Sequence, residues 1–341
     1  MDGRFLAIEA AESDSKALYL VPVKDGSAAG QPVFVRYGAF QSREGRTTAA
    51  GGLIYSSARL EEAAFIGDVD ATGHVAGWKP LAIAQGQAFQ LSIDWSLDGS
   101  QIAYVASNNA AGVAGSAVRL QNLATGEERE IYRTQNPGRL RCVSARQHPN
   151  LFCTSTGQDT QVFSVALDSG HVEVLERAGQ SGPISGVSAD DRTLYFTTGT
   201  RPQQWEIGPD QKVFLGDIGG LISADGRWRF QRSGGGVEIR PVSGGPWTRL
   251  PFSIVFAGVP AVTSDGKWVL YPGRDSSGKP GLFRIPSTGD QPERLGDLPN
   301  RLAEELHQIR PSPDGRKILV TRNLYSSREL WLLENFVPSA K

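Results

Sequence analysis

One short phrase constrains what this chain can fold into: Ser or Thr, any residue, Asp, Gly, and then five or six largely apolar positions. It is written in "WSLDGSQIAYVAS", "SADGRWRFQRS", "TSDGKWVLYPG" and "SPDGRKILVTR", with variants in "MDGRFLAIEA", "GGLIYSSA", "ARQHPNLFCTST" and "SADDRTLYFTT". The anchors fall at Gly3, Gly52, Gly99, His148, Asp191, Gly226, Gly266 and Gly315, about 35 to 50 residues apart, which is the period of repeat arrays and propellers. Asp hydrogen-bonds the backbone of a tight reversal and Gly takes the positive φ it needs. The apolar or alternating run that follows is the pattern of a buried or half-buried strand.

A second marker keeps the same phase. After each such strand come another short strand, a polar turn ("VDATGH", "LATGEE", "ALDSGH", "PVSGGP", "PSTGDQ") and a further strand. Each unit therefore reads as strands a, b, c and d, four antiparallel strands that have no way to bury both faces alone. Packed face to face in a ring they do, which makes the expected fold an all-β propeller of four-stranded antiparallel blades. Counting b–c pairs gives eight blades, with seven as the alternative if the weak unit near Gly52 is misread. The terminal blades read as incomplete, the first without strand a and the last without strand d. That pattern leads us to expect a chain beginning inside a longer parent. One helix-like stretch, Pro299 to Gln308, reads as a turn or loop, and residues 1–341 read as a single domain.

Lys plus Arg number 35 against 36 Asp plus Glu, a net charge of -1, so no basic surplus seeks a polyanion and nucleic acid is not an expected partner. No apolar run reaches the roughly 18 residues a bilayer-crossing helix needs, and "MDGRFLAIEA" has no basic n-region or long h-region. The expectation is a monomer without membrane insertion, cytoplasmic as written and periplasmic if part of a longer parent. Cys142 and Cys153 flank a hairpin turn. Two small buried thiols are the simpler reading; a cross-strand disulfide, which needs an oxidising compartment, is the alternative.

The segments "IDWSLDGSQIAYVAS", "AVTSDGKWVLYPG", "RPSPDGRKILVTR" and "ELWLLENF" resemble the bacterial TolB-like, WD40-like propeller repeats. Units 144–154 and 186–196 depart from that pattern, with "RQHP" and "DDR" in place of Asp-Gly. The resemblance implies the fold strongly and the function weakly, because such propellers serve as sensor or interaction regions behind kinase or winged-helix domains, as periplasmic TolB, and as gates before hydrolases.

Motifs that tempt a chemical reading mostly dissolve into turns. "GDVDATGHVAGWK" resembles the front of a calcium loop but carries Lys79 where the bidentate Glu belongs. "SGPISGV" lacks the spacing of a nucleophile elbow, and "RSGGGVEI" lacks the Lys-Ser/Thr and helix of a phosphate loop. His74, His148 and His171 fall in turns. Trp95 and Trp331 fall at positions facing neighbouring blades. Residues expected near the channel are Gln90, Asp94, Arg141 and Arg310 as ligand-binding candidates, and Glu304, Glu305 and His307 as catalytic candidates. The expected function is a non-catalytic binding, scaffold or sensor propeller, taking a protein or small molecule at its top face or channel; the reading as the detached C-terminal region of a kinase or winged-helix regulator belongs here. No cofactor is firmly implied. The alternative is a hydrolase of lactones, esters or phosphoesters with a divalent metal on the axis.

Overall fold

The computed structural model describes residues 5–12, 15–38, 46–47, 53–83, 92–108, 115–134, 139–156, 161–177, 182–198, 201–207, 212–217, 221–223, 226–233, 236–253, 260–263, 265–298 and 306–334. Among them the chain is all strand and turn, arranged in antiparallel sheets. Five consecutive four-stranded sheets form blades 1 to 5, spanning residues 93–134, 139–177, 184–217, 221–253 and 261–296. The sixth is assembled from both halves of the sequence. Its strands a and b are Leu306–Pro311 and Lys317–Leu333, and its c and d are Leu53–Val69 and Val75–Pro80.

Each blade is amphipathic on both faces, because a period of two sends alternate side chains to opposite neighbours. In blade 2, Leu151 and Cys153 pack on blade 1 with Val105 and Leu120, while Phe152 packs on blade 3 with Leu194 and Phe196. In blade 6, Ile318 and Val320 join Leu270 and Leu282 of blade 5, and the fully buried Leu319 joins Trp95 and Tyr104 of blade 1. Tyr195 meets Ile222 between blades 3 and 4, and Phe230 and Ile239 meet Val269 and Tyr271 between blades 4 and 5. These six apolar interfaces link six sheets in cyclic order, so the ring closes. At ~1.5–3 kcal/mol for each large apolar side chain removed from water, the interfaces are the main source of cohesion.

Among the described residues the ring is made of six sheets, where the repeat count leads one to expect eight blades, or seven if the unit near Gly52 is misread. The units anchored at Gly52 and Gly315 are complementary halves of one blade. A last blade lacking only strand d takes "KILVT" and "ELWLL" as its strands b and c, yet they lie in one long strand with a register shift between Tyr325 and Ser327. The true strand c comes from Leu53–Val69, in register from Lys317 opposite Asp68 to Leu333 opposite Leu53. The first unit forms a separate sheet of Phe5–Glu12, Ser15–Lys24 and Val33–Gly38, with the short Ser27–Ala28, and among the described residues none of it joins these six apolar clusters. Of the helix-like stretch, Leu306 to Gln308 is strand, and the rest lies outside the described residues.

The recurrent turn works as its residues imply. In blade 1, Ser96 Oγ donates to Asp98 Oδ1 (2.6 Å), Gln101 N donates back to Ser96 Oγ (2.9 Å), and Gly99 N donates to Ser96 O with φ at 72°. Blade 6 repeats it through Ser312, Asp314 and Gly315. Gly226, at φ 68°, has a second reason to be glycine: a Cβ there would meet Val187 O of blade 3 at 2.0 Å.

Among the described residues no helix is long and apolar enough to cross a membrane. Cys142 and Cys153 face each other in register in strands a and b of blade 2 and are joined by a disulfide, so the alternative of the two readings is the one the structure takes.

Candidate axial-mouth site

Strand a lies innermost in the blades, where the strands a of blades 1 to 4 touch in turn and those of blades 5 and 6 touch each other. Every strand a runs into the a–b turn, so the six turns gather on one face of the ring. At their centre lies a cavity of about 190 Å³. All six blades line it: Asp94 to Leu97 from blade 1, Ala145 to Gln147 from blade 2, Ala189, Arg227 and Val262 from blades 3 to 5, and Pro311 and Pro313 from blade 6. This is the mouth of the axial channel.

Asp94 is the anchor of the mouth. It is buried, its Oδ1 accepts Trp95 N at 3.0 Å, its Oδ2 accepts Ser144 N at 3.2 Å, and Arg146 Nη2 stands 3.5 Å from Oδ2. One carboxylate thus ties strand a of blade 1 to strand a of blade 2. Across the seam, Trp95 Nε1 donates to Arg310 O at 2.9 Å, tying blade 1 to blade 6. Burial pushes the Arg310 guanidinium below its ordinary pKa; the Asp94 charge opposes that shift and the Arg146 charge reinforces it. All three charges therefore share one electrostatic environment.

The departing turn of blade 2 is held from blade 3. Asp191 sits where the sister turns carry glycine, at φ 60°, and its buried carboxylate accepts Arg146 N (2.6 Å) and Gln147 N (2.8 Å), with His148 Nδ1 at 3.2 Å. Gln147 Nε2 adds a bond to Ala189 O at 2.7 Å. The two units that break the repeat are thus neighbours that complete one another, and together they fix the backbone that carries Arg146.

Of the sequence candidates, Asp94 lines the mouth and Arg310 lies one residue below its wall. Arg141 lies in strand a of blade 2 but not among the residues lining the cavity. Gln90, Glu304 and Glu305 lie outside the described residues. His307 is the bulged residue of its strand, at the register shift between Leu306 and Gln308, and its side chain lies outside the description. Sequence reasoning missed Arg146 and Arg227, whose signal was positional: each sits in an a–b turn, and those turns converge. The calcium-like loop is a turn, with Asp70 Oδ1 accepting Thr72 N, Thr72 Oγ1 and His74 N. Among the described residues no three His, Cys, Asp or Glu side chains are grouped to hold a metal ion.

No protein-family model matches the chain, and no curated protein matches it by sequence. Solved structures do. A protein assigned as TolB from Agrobacterium tumefaciens superposes with a TM-score of 0.54 at 15% identity, over 78% of this chain and 99% of that one. TolB from Acinetobacter baumannii gives 0.48 at 15%, over 96% and 82%. An oligogalacturonate lyase from Vibrio parahaemolyticus gives 0.41 at 11%, over 83% and 86%. The first of these carries the fold assignment: the ring is a TolB-like β-propeller.

Proposed function

We propose that the protein is a non-catalytic binding propeller that receives its partner at the axial mouth, on the face of the a–b turns. The observation that carries this reading is the convergence of all six blades on one small cavity where, among the described residues, the one lining carboxylate, Asp94, is engaged by two backbone N–H groups and an arginine. A carboxylate so occupied serves to hold the site together, and a partner would meet the guanidinium-bearing rim. A sensor role within a larger regulator is the finer form of the same proposal.

The test is selection from a randomised peptide-display library on the immobilised protein, repeated with two variants. Ala189→Trp plugs the mouth, and Lys279→Glu alters the b–c hairpin of blade 5 on the opposite face. Enriched peptides that bind the parent and Lys279→Glu but not Ala189→Trp support the reading. Peptides indifferent to Ala189→Trp, or divalent-metal-dependent turnover of an ester or lactone panel, overturn it.

A further inference from the structure

Among the described residues the mouth carries more positive than negative charge. Arg146 and Arg227 line it and Arg310 directly precedes the lining residue Pro311, while Asp94 is the carboxylate described on its wall; Asp191 nearby has its oxygens turned to the backbone of residues 146 and 147. Two of these guanidiniums are under-used. Among the described residues, Nε of Arg146 and Nε of Arg310 are buried without a hydrogen-bond partner, and Arg310 Nη1 meets Ile309 O at 3.5 Å. A buried donor without an acceptor carries an unrecovered desolvation cost, so a ligand that supplies acceptors here relieves a cost already present.

The remaining wall is apolar: Trp95, Leu97, Ala145, Val262, Pro311 and Pro313. The volume of about 190 Å³ is below the roughly 300 Å³ at which pockets begin to enclose a drug-sized molecule. A space of this size takes one side chain or one chain end, with the rest of the partner outside. A planar carboxylate fits the guanidinium fork. A phosphate dianion would bring a second full charge up to Asp94, at a cost that rises as the surroundings dry out.

We infer that the axial mouth is a carboxylate-recognition site, filled end-on by a polypeptide that presents either its C-terminal carboxylate or an acidic side chain to Arg146 and Arg310. This rests on the binding function proposed above and gives that site its ligand chemistry.

The experiment uses four probes by calorimetric titration. They are one tetrapeptide, Leu-Pro-Ala-Leu, with a free C-terminus; the same peptide amidated; an amidated version ending in Asp; and inorganic phosphate. The expected result is binding of at least one carboxylate peptide, a tenfold or greater loss for the all-amide peptide, and weakening as salt is raised. Arg146→Gln and Arg310→Gln each lower affinity tenfold or more. Arg227→Gln, in an exposed turn, provides a second variant should Arg310→Gln fail to fold, and unfolding curves accompany each. Which of the two carboxylate peptides binds identifies the source. Equal binding of the amide peptide at the mouth overturns the carboxylate inference and leaves the binding function standing. Phosphate binding more tightly than either carboxylate also overturns the inference. No binding of any probe, with display-selected peptides indifferent to Ala189→Trp, overturns both.

Discussion

Asp191 holds the left-handed backbone position that glycine holds in its sister turns, and its carboxylate accepts the backbone N–H of Arg146 at 2.6 Å from the adjacent blade. A non-glycine residue there costs ~1 kcal/mol or more, and the cost is met by giving two buried-side N–H groups of the neighbouring turn an acceptor. Asp191→Gly removes the strain together with the acceptor. At about 1–3 kcal/mol for each N–H left without a partner, the loss wins. Denaturant unfolding is expected to rank the parent above Asp191→Asn, which keeps one acceptor oxygen, and both above Asp191→Gly and Asp191→Ala. An Asp191→Gly protein as stable as the parent would reduce the contact to a bystander.

Acid should loosen the ring from its turn face. Hydrogen bonds from Ser96, Ser188 and Ser312 are the leading reason that Asp98, Asp190 and Asp314 sit below the ordinary value of 3.8. A carboxyl whose folded pKa is depressed binds fewer protons folded than unfolded, so its contribution is complete above about pH 4 and is lost as pH falls through the lowered folded value. Stability measured by denaturant from about pH 6 to pH 2 is expected to fall chiefly below pH 4. The triple Ser→Ala variant at positions 96, 188 and 312 is expected to lose ~0.5–1.5 kcal/mol per turn near neutrality and to show a shallower acid slope. An unchanged slope would place the titrating groups elsewhere.

Reduction should weaken blade 2 without dismantling it. The Cys142–Cys153 bond closes a loop of 11 residues, for which the chain-entropy account gives about 3 kcal/mol at most. Cys153 is wholly buried in the interface with blade 1, so the thiols remain packed after reduction. Equilibrium unfolding with and without reductant should differ by about that amount or less. Identical curves, with two thiols titrating in the protein as purified, would show that the bond does not form.

The blade count makes a prediction by deletion. Removing residues 1–45 takes away the separate first sheet, none of whose described residues joins the six ring clusters, so the shortened chain is expected to unfold cooperatively and keep its mouth. Removing residues 317–341 deletes strand b of blade 6, with the buried Ile318, Leu319 and Val320, and is expected to abolish cooperative unfolding. Loss of cooperativity in the first deletion would make the outlying sheet part of the ring.

Most strands and turns were legible because their signals are local. Ser-x-Asp-Gly states a turn within four residues, and alternation states a strand within six. The number of blades was not legible for the same reason. Nothing in "KILVT" or in "AAFIGDV" says that each is the other's partner across the length of the chain, so two halves were counted as two wholes. The site divides in the same way. Asp94, which lines the cavity, and Arg310, beside the lining residue Pro311, were candidates because they fall near the starts of strands a. Arg146 was missed because its importance depends on Asp191, in another unit, bracing the turn that carries it. The hairpin between Cys142 and Cys153 was legible, but whether the pair is bonded was left open because facing thiols and a disulfide share one sequence pattern and differ in the compartment they need.

Strands Leu53–Val69 and Lys317–Leu333 zip the ring shut, with Lys317 Nζ meeting Asp68 Oδ1 at 2.7 Å across 249 residues of sequence. During synthesis the earlier strand leaves the ribosome while its partner has yet to be translated. At roughly 5–20 residues per second, that interval is on the order of 10–50 s. For that time an apolar strand edge stands open, a template for any other nascent chain. Crowding of ribosomes on one message is therefore the condition under which this fold is most exposed to swapping its seam strand with a sister copy.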